Sequence, residues 1–132
     1  MREEKMGMFK VKARVANPSD PKRFFEEELW VDTGSMYTLI PEDRLQEIGI
    51  EPALTREVIL ADGRRDRRLL GHVSITLPEL NETLICQILF GTKDSLYWVG
   101  ATTMEAFSVE PDPVAQKLKP VAAIIGAHFD SR

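Results

Sequence analysis

The sequence predicts a single, mainly β domain, a sandwich or barrel with six or seven strands and one or two short helices. At 132 residues and 43% hydrophobic content, the chain is long and apolar enough to build one core. Three observations predict the strands. Residues 9–16 alternate between apolar and charged side chains, Asp62 and Gly63 lie between two extended runs, and the apolar runs ETLICQILFG and SLYWVG both end at glycines.

The first part of the chain predicts two strands followed by a helix. In residues 9–16 a period of two places the apolar side chains on one face, as in a half-buried strand. The segment NPSDPKR has the proline and polar content of a loop, and FFEEELWV then resumes an extended pattern that ends at Asp32. The segment PEDRLQEIG predicts a short helix, because proline begins it, acidic residues lie at its positive N-terminal end, and Gly49 ends it.

The last part of the chain is less regular. ATTMEAFS predicts one short amphipathic turn, since Met104 and Phe107 lie three residues apart. EPDPVAQKLKP is broken by three prolines, and the apolar run VAAII, residues 121–125, predicts a terminal strand. No repeat or linker interrupts the sequence, so we interpret residues 1–132 as one domain.

Composition excludes several classes of partner. The formal net charge of −4 argues against a general affinity for nucleic acid or for an anionic membrane surface. The N-terminus lacks the apolar core of a signal peptide, and no run approaches the length of a membrane span. The single cysteine, Cys86, forms no intrachain disulfide, which favours a reducing compartment. We therefore expect a cytoplasmic protein without nucleic-acid or membrane partners.

The most informative segment is LWVDTGSMYTLIP, in which an apolar strand ends at Asp32 and continues directly into Thr33, Gly34 and Ser35. Asp32 supplies a carboxylate, Gly34 permits a tight turn that brings its N–H near that carboxylate, and the two neighbouring residues add short hydroxyls. The same residue types also form ordinary Asx and Ser/Thr turns at strand ends. The flanking residues favour a functional loop.

This segment resembles the active-site segment of the aspartic proteases. The motif DTG occurs once in a short chain, so the resemblance is to the retroviral-type, single-domain members and their cellular, non-viral relatives. It implies a closed or partly open β-barrel of the acid-protease type, active as a two-fold homodimer. The second signature of that family is matched by WVGATTMEAF, with Val99 and Gly100 in the corresponding places. The resemblance covers residues 9–126.

The resemblance also places a flap, a hairpin that closes over bound peptide, at about residues 57–70, with Ala61, Asp62 and Gly63 at its tip. AIIGAHFD competes as a second signature, but too few residues follow Gly126 for the required helix. The terminal run VAAII then becomes the strand that, in this family, helps to join two subunits.

The implied mechanism is peptide hydrolysis by a pair of carboxylates. Two carboxylates in contact share one proton, so one serves as base toward water and the other as acid toward the leaving nitrogen. A two-fold axis beside Asp32 supplies the pair from two identical chains. The resemblance further implies that Thr33 braces the two loops across the axis, that the Gly34 N–H steadies the carboxylate, and that the Ser35 hydroxyl donates to its outer oxygen. No cofactor or metal is needed.

Other interpretations remain open at this point. A catalytically inactive peptide-binding or adaptor module could use the same fold. The arginines of the flap could meet acidic groups of a substrate or a phosphate backbone, but a solvated hairpin tip is the simpler interpretation. His72, His128 and Cys86 lack the spacing of metal ligands, and neither Ser35 nor Cys86 lies in a known nucleophile motif.

Overall fold

The computed structural model describes residues 9–126, which form nine strands and two short helices. Their bounds are β1 (Lys10–Asn17), β2 (Asp20–Val31), β3 (Thr38–Pro41), α1 (Glu42–Glu47), β4 (Leu54–Ile59), β5 (Arg65–Leu77), β6 (Glu82–Gly91), β7 (Trp98–Val99), α2 (Ala101–Ala106), β8 (Val109–Asp112) and β9 (Lys117–Pro120). The predicted mainly β class with two short helices is confirmed. In the described part of the chain, neither helix is long enough to cross a bilayer.

Seven strands share one sheet in the order β1-β2-β7-β3-β6-β5-β4, and β8 and β9 form a separate hairpin. Most neighbours are antiparallel, whereas β7 lies parallel to β2 and β3 lies parallel to β6. The long strand β5 also pairs with β1 through residues 74–76, so two strands that are distant in this order meet again. The short strand β7 pairs with β2 on one side and with β3 on the other, so it lies between them.

The alternation predicted for β1 is present. Val11, Ala13 and Val15 are buried, while Lys10 and Lys12 are exposed on the other face. Apolar side chains of β2, β5 and β6 complete the main core from the facing strands, namely Phe25, Leu29, Val31, Val73, Ile75, Leu77, Cys86, Ile88 and Phe90. Burial of these apolar side chains is the main favourable contribution to the free energy of folding. It fixes the strand register, because a shift of one residue would turn them toward solvent.

The helix predicted over residues 41–49 is present as α1. Pro41 is its N-cap, and Gly49 follows it with a φ of +79° that favours glycine. Leu45 is fully buried and fixes the helix against the core. The second predicted helix is present as α2, with Met104 and Phe107 buried.

The strand count and the C-terminal region differ from the prediction. The count of six or seven is wrong, because a further strand, β3, begins at Thr38 and the proline-rich segment forms β8 and β9. A two-stranded sheet leaves one edge of each strand unpaired, so the prolines in it need not donate to a partner. The predicted strand at 121–125 is also wrong for the single chain. Beyond Val121, whose N–H donates to the Ser108 carbonyl at 2.8 Å, the described residues form no strand.

Candidate active site

The Asp32 loop, residues 32–35, begins where β2 ends beside β7. In the parallel pairing, Val31 lies opposite Val99, and the Asp32 N–H continues the ladder by donating to the Val99 carbonyl at 3.0 Å. The backbone of Asp32 is therefore fixed by the second signature rather than by its own strand. Its side chain is partly exposed, as a group that must reach a ligand requires.

Both carboxylate oxygens of Asp32 accept hydrogen bonds from its own loop. The Gly34 N–H donates to Oδ1 at 3.0 Å, and the Ser35 hydroxyl donates to Oδ2 at 3.0 Å. These are the two bonds that the resemblance implied. They hold the carboxylate in one orientation, which is the preorganisation that acid–base chemistry requires. Thr33 is exposed at the tip of the loop.

Gly100 packs directly against the Asp32 loop. A Cβ atom at this position would lie 2.4 Å from the Tyr37 carbonyl carbon and oxygen and 2.9 Å from the Ser35 oxygen, so no larger residue fits without moving the backbone. The next two N–H groups, of Ala101 and Thr102, donate to the carbonyls of Ser35 and Met36 at 2.8 Å each. The first turn of α2 thus uses its free donors to hold the loop.

Two buried threonines extend this attachment. Thr38 Oγ1 accepts from the Gly100 N–H at 3.0 Å and lies 2.6 Å from Thr103 Oγ1, and both side chains are almost fully buried. Neither residue was predicted from the sequence. The available signal was a threonine inside the apolar run YTLIP and another on the inward side of the amphipathic turn, since buried polar groups are almost always paired.

Tyr37 and Trp98 form the border between the Asp32 loop and the hairpin of β4 and β5. Trp98 Nε1 donates to the Tyr37 carbonyl at 3.2 Å, and Arg56 Nε on β4 donates to the Tyr37 hydroxyl at 3.3 Å. Both aromatic residues and Val58 pack against a small buried cluster, Leu39, Leu70 and Leu89. Neither Tyr37 nor Arg56 was predicted from the sequence to lie at the site.

The hairpin predicted at about residues 57–70 is present as β4, a turn and β5. Gly63 has a φ of +87°, as expected for a turn glycine, and Ala61 and Asp62 are exposed. Hydrogen bonds from the Arg64 backbone and side chain lower the pKa of Asp62 below its ordinary value. Among the described residues, no hydrogen bond joins residues 61–63 to residues 32–35. Hydrogen bonds therefore join the Asp32 loop to the second signature, and none in the described part of the chain joins it to the hairpin tip.

The remaining candidate residues are scattered. Within residues 9–126, no group of three potential metal ligands is clustered. His72 is exposed on β5, His128 lies outside the described residues, and Cys86 is buried. Burial raises the pKa of the Cys86 thiol to about 11, so it is a poor nucleophile near neutral pH.

No family model matches the chain, and no curated protein is similar to it in sequence. Among solved structures, it resembles the solution structure of the simian foamy virus (mac) protease, with a TM-score of 0.52 and 11% sequence identity. The match covers 74% of this chain and 92% of that chain. At this identity the similarity concerns the fold alone. The chain therefore shares its fold with a viral protease, in agreement with the retroviral-type resemblance at Asp32.

Proposed function

We propose that this chain is an aspartic endopeptidase that hydrolyses peptide bonds with a water activated by Asp32 from each of two subunits. One observation carries the proposal. The Asp32 carboxylate receives a hydrogen bond on each oxygen from its own loop, and that loop is fixed against Val99 and Gly100. An ordinary turn at a strand end does not require this second attachment.

The proposed chemistry follows from the pairing of two equal carboxylates. When two such groups approach closely, they cannot both ionise at low cost, so they hold one proton between them. The ionised partner then removes a proton from water as it attacks the peptide carbonyl, and the protonated partner donates to the departing nitrogen. The Gly34 N–H and the Ser35 hydroxyl keep each carboxylate aimed during this exchange.

A homodimer is part of the proposal because one chain carries one DTG motif. The terminal run at 121–125 supports it. Ile124 and Ile125 are 96% and 55% exposed, which is costly for isolated isoleucines in water and favours a partner strand from a second copy. The pairing of β1 with β5 supports the partly closed barrel that such a dimer requires.

The proposed substrate is an extended peptide that lies between the flap and the paired Asp32 loops and adds to the flap as a strand. Helix α1 and the proline-rich tail depart from the retroviral pattern, and cellular relatives of the retroviral enzymes tolerate such changes.

The test is the Asp32→Asn variant. We expect it to fold and dimerise in sedimentation but to lose cleavage of a peptide library, because the amide neither shares a proton nor acts as base. Asp20→Asn is the matched control, since Asp20 is exposed at the opposite end of β2. Wild-type cleavage should be blocked by a statine-type transition-state mimic. Undiminished cleavage by Asp32→Asn, or a strictly monomeric active enzyme, would refute the proposal.

A further inference from the structure

One face of the flap hairpin carries two arginines side by side. In the register of β4 and β5, Arg56 lies directly opposite Arg68. Directly opposite residues of an antiparallel pair project to the same face, and this face repeats every second residue. Leu54 with Leu70 and Val58 with Asp66 therefore share it. We call this set of six residues the inner face of the flap.

The inner face is turned toward the candidate active site. Its members Val58 and Leu70 belong to the small cluster that includes Tyr37 and Trp98, at the edge of the Asp32 loop. Arg56 reaches the same place, because its Nε donates to the Tyr37 hydroxyl at 3.3 Å. Tyr37 lies two residues beyond Ser35, so the Arg56 guanidinium is attached to the chain segment that carries the candidate catalytic carboxylate.

The two arginines are neutralised unequally. Arg68 Nη2 lies 3.3 Å from Asp66 Oδ2, and both belong to the inner face. Arg56 makes no ion pair within residues 9–126. The inner face therefore carries two cations and one anion, and its unpaired cation lies nearest to Tyr37.

The opposite face of the hairpin also carries two arginines and one carboxylate, but it projects away from Tyr37. There Arg65 Nη1 lies 3.5 Å from Glu57 Oε1, while Arg67, which is opposite Glu57 in register, makes no ion pair within residues 9–126. At the tip, Arg64 pairs with Asp62 at 2.7 Å. Three of the four arginines within residues 64–68 thus lie beside a local carboxylate. This agrees with the simpler interpretation of the cluster as a solvated hairpin tip.

We propose that the inner face of the flap, through Arg56 and with support from Arg68, selects peptide substrates that carry an acidic side chain close to the bond that is cut. The inference rests on the proposed function and specifies its substrate class. A guanidinium whose Nε is held by Tyr37 keeps both terminal nitrogens for a carboxylate, which it binds through two parallel hydrogen bonds. The formal charge of −4 on the whole chain disfavours a polyanion such as nucleic acid more than a single carboxylate, which needs only one local cation.

The experiment compares matched peptides. A peptide that the wild-type enzyme cleaves is made with Glu or with isosteric Gln at each position flanking the cut, and kcat/KM is measured for every pair. We expect the Glu peptide to be preferred by about threefold to tenfold at one or more positions, which is the range of partly exposed and charge-assisted pairs. The preference should shrink as the salt concentration rises.

Variants assign the preference to the inner face. Arg56→Gln should abolish most of it, Arg56→Lys should retain part of it, and Arg67→Gln on the opposite face is the matched control that should leave it unchanged. Equal cleavage of the Glu and Gln peptides at every position, or an equal loss in Arg67→Gln, would overturn the inference while leaving the protease proposal intact.

A binding measurement keeps the inference testable without catalysis. Fluorescence anisotropy with the Asp32→Asn protein compares labelled acidic and neutral peptides, with a single-stranded oligonucleotide of the same length as a further probe. We expect tighter binding of the acidic peptide, lost in Arg56→Gln. If the wild-type protein cleaves no peptide but the Asp32→Asn protein still prefers the acidic peptide, the protease proposal is wrong and the present inference stands. Stronger binding of the oligonucleotide than of the acidic peptide would overturn the assignment of a peptide carboxylate.

Discussion

The hydroxyl groups of Thr38 and Thr103 lie 2.6 Å apart in the interior of the domain, although 65 positions separate them in the sequence. Thr38 also accepts from the Gly100 N–H, so a single side chain ties together the strand that follows the Asp32 loop and the helix that follows the second signature. The carboxylate of Asp32 is held by short local bonds, and this buried pair holds the loop itself.

Thr38→Val should therefore destabilise the protein, although it leaves the size of the side chain almost unchanged. The isosteric change leaves the Gly100 N–H and the Thr103 hydroxyl buried without their partner, at a cost of about 1–3 kcal/mol. Urea unfolding of Thr38→Val, Thr103→Val and the double variant measures this cost. The double variant should lose less free energy of unfolding than the two single variants together.

Thr76 and Thr83 supply the matched control for this prediction. Their hydroxyls lie 2.7 Å apart on the exposed face of β5 and β6, so Thr83→Val should change the free energy of unfolding by less than about 0.5 kcal/mol. Equal effects at the buried and exposed pairs would contradict the role given to Thr38.

Gly100→Ala should disturb the Asp32 loop. The added Cβ would lie 2.4 Å from the Tyr37 backbone, which is rigid, so the loop or helix α2 must move at a cost of about 1–3 kcal/mol or more. We expect lower stability together with loss of peptide cleavage. Gly126→Ala is the control, because a Cβ there meets nothing within 4 Å. A fully active and stable Gly100→Ala enzyme would show that the contact is not needed.

The Cys86 thiol should resist alkylation in the folded protein. Burial raises its pKa to about 11, so at pH 8 only about one molecule in a thousand carries the reactive thiolate. Iodoacetamide should label the native protein slowly and the guanidinium-unfolded chain quickly, with mass spectrometry as the readout. Native labelling at the unfolded rate would contradict the burial of Cys86.

The same thiol predicts how stability responds to alkaline pH. The folded state keeps the Cys86 proton to higher pH than the unfolded chain, whose thiol has the ordinary value of 9.0. The contribution of the Cys86 thiol to the free energy of unfolding is thus fully present below about pH 9 and is lost as the pH rises toward about 11. Comparison of Cys86→Ala with wild type by urea unfolding across this range isolates the effect, which should be absent from the variant.

The sequence by itself determined the features that depend on neighbours along the chain. The alternation of β1, the helix between Pro41 and Gly49, and the hairpin turn at Gly63 follow from local periodicity and backbone preference. The bonds from Gly34 and Ser35 to Asp32 span two and three residues; the tight turn at Gly34 indicated the first, and the family resemblance implied the second. A local arrangement is encoded within a few residues and needs no knowledge of the rest of the fold.

Only the tertiary structure decided which distant groups meet. The parallel pairing of β3 with β6, the contact between Thr38 and Thr103, and the position of Arg56 beside Tyr37 each depend on strand order and register. The hairpin of β8 and β9 was missed for a related reason, because its prolines break local patterns and only an unpaired strand edge tolerates them. A shift of one residue in register turns every side chain to the other face, and no local pattern specifies the partner strand.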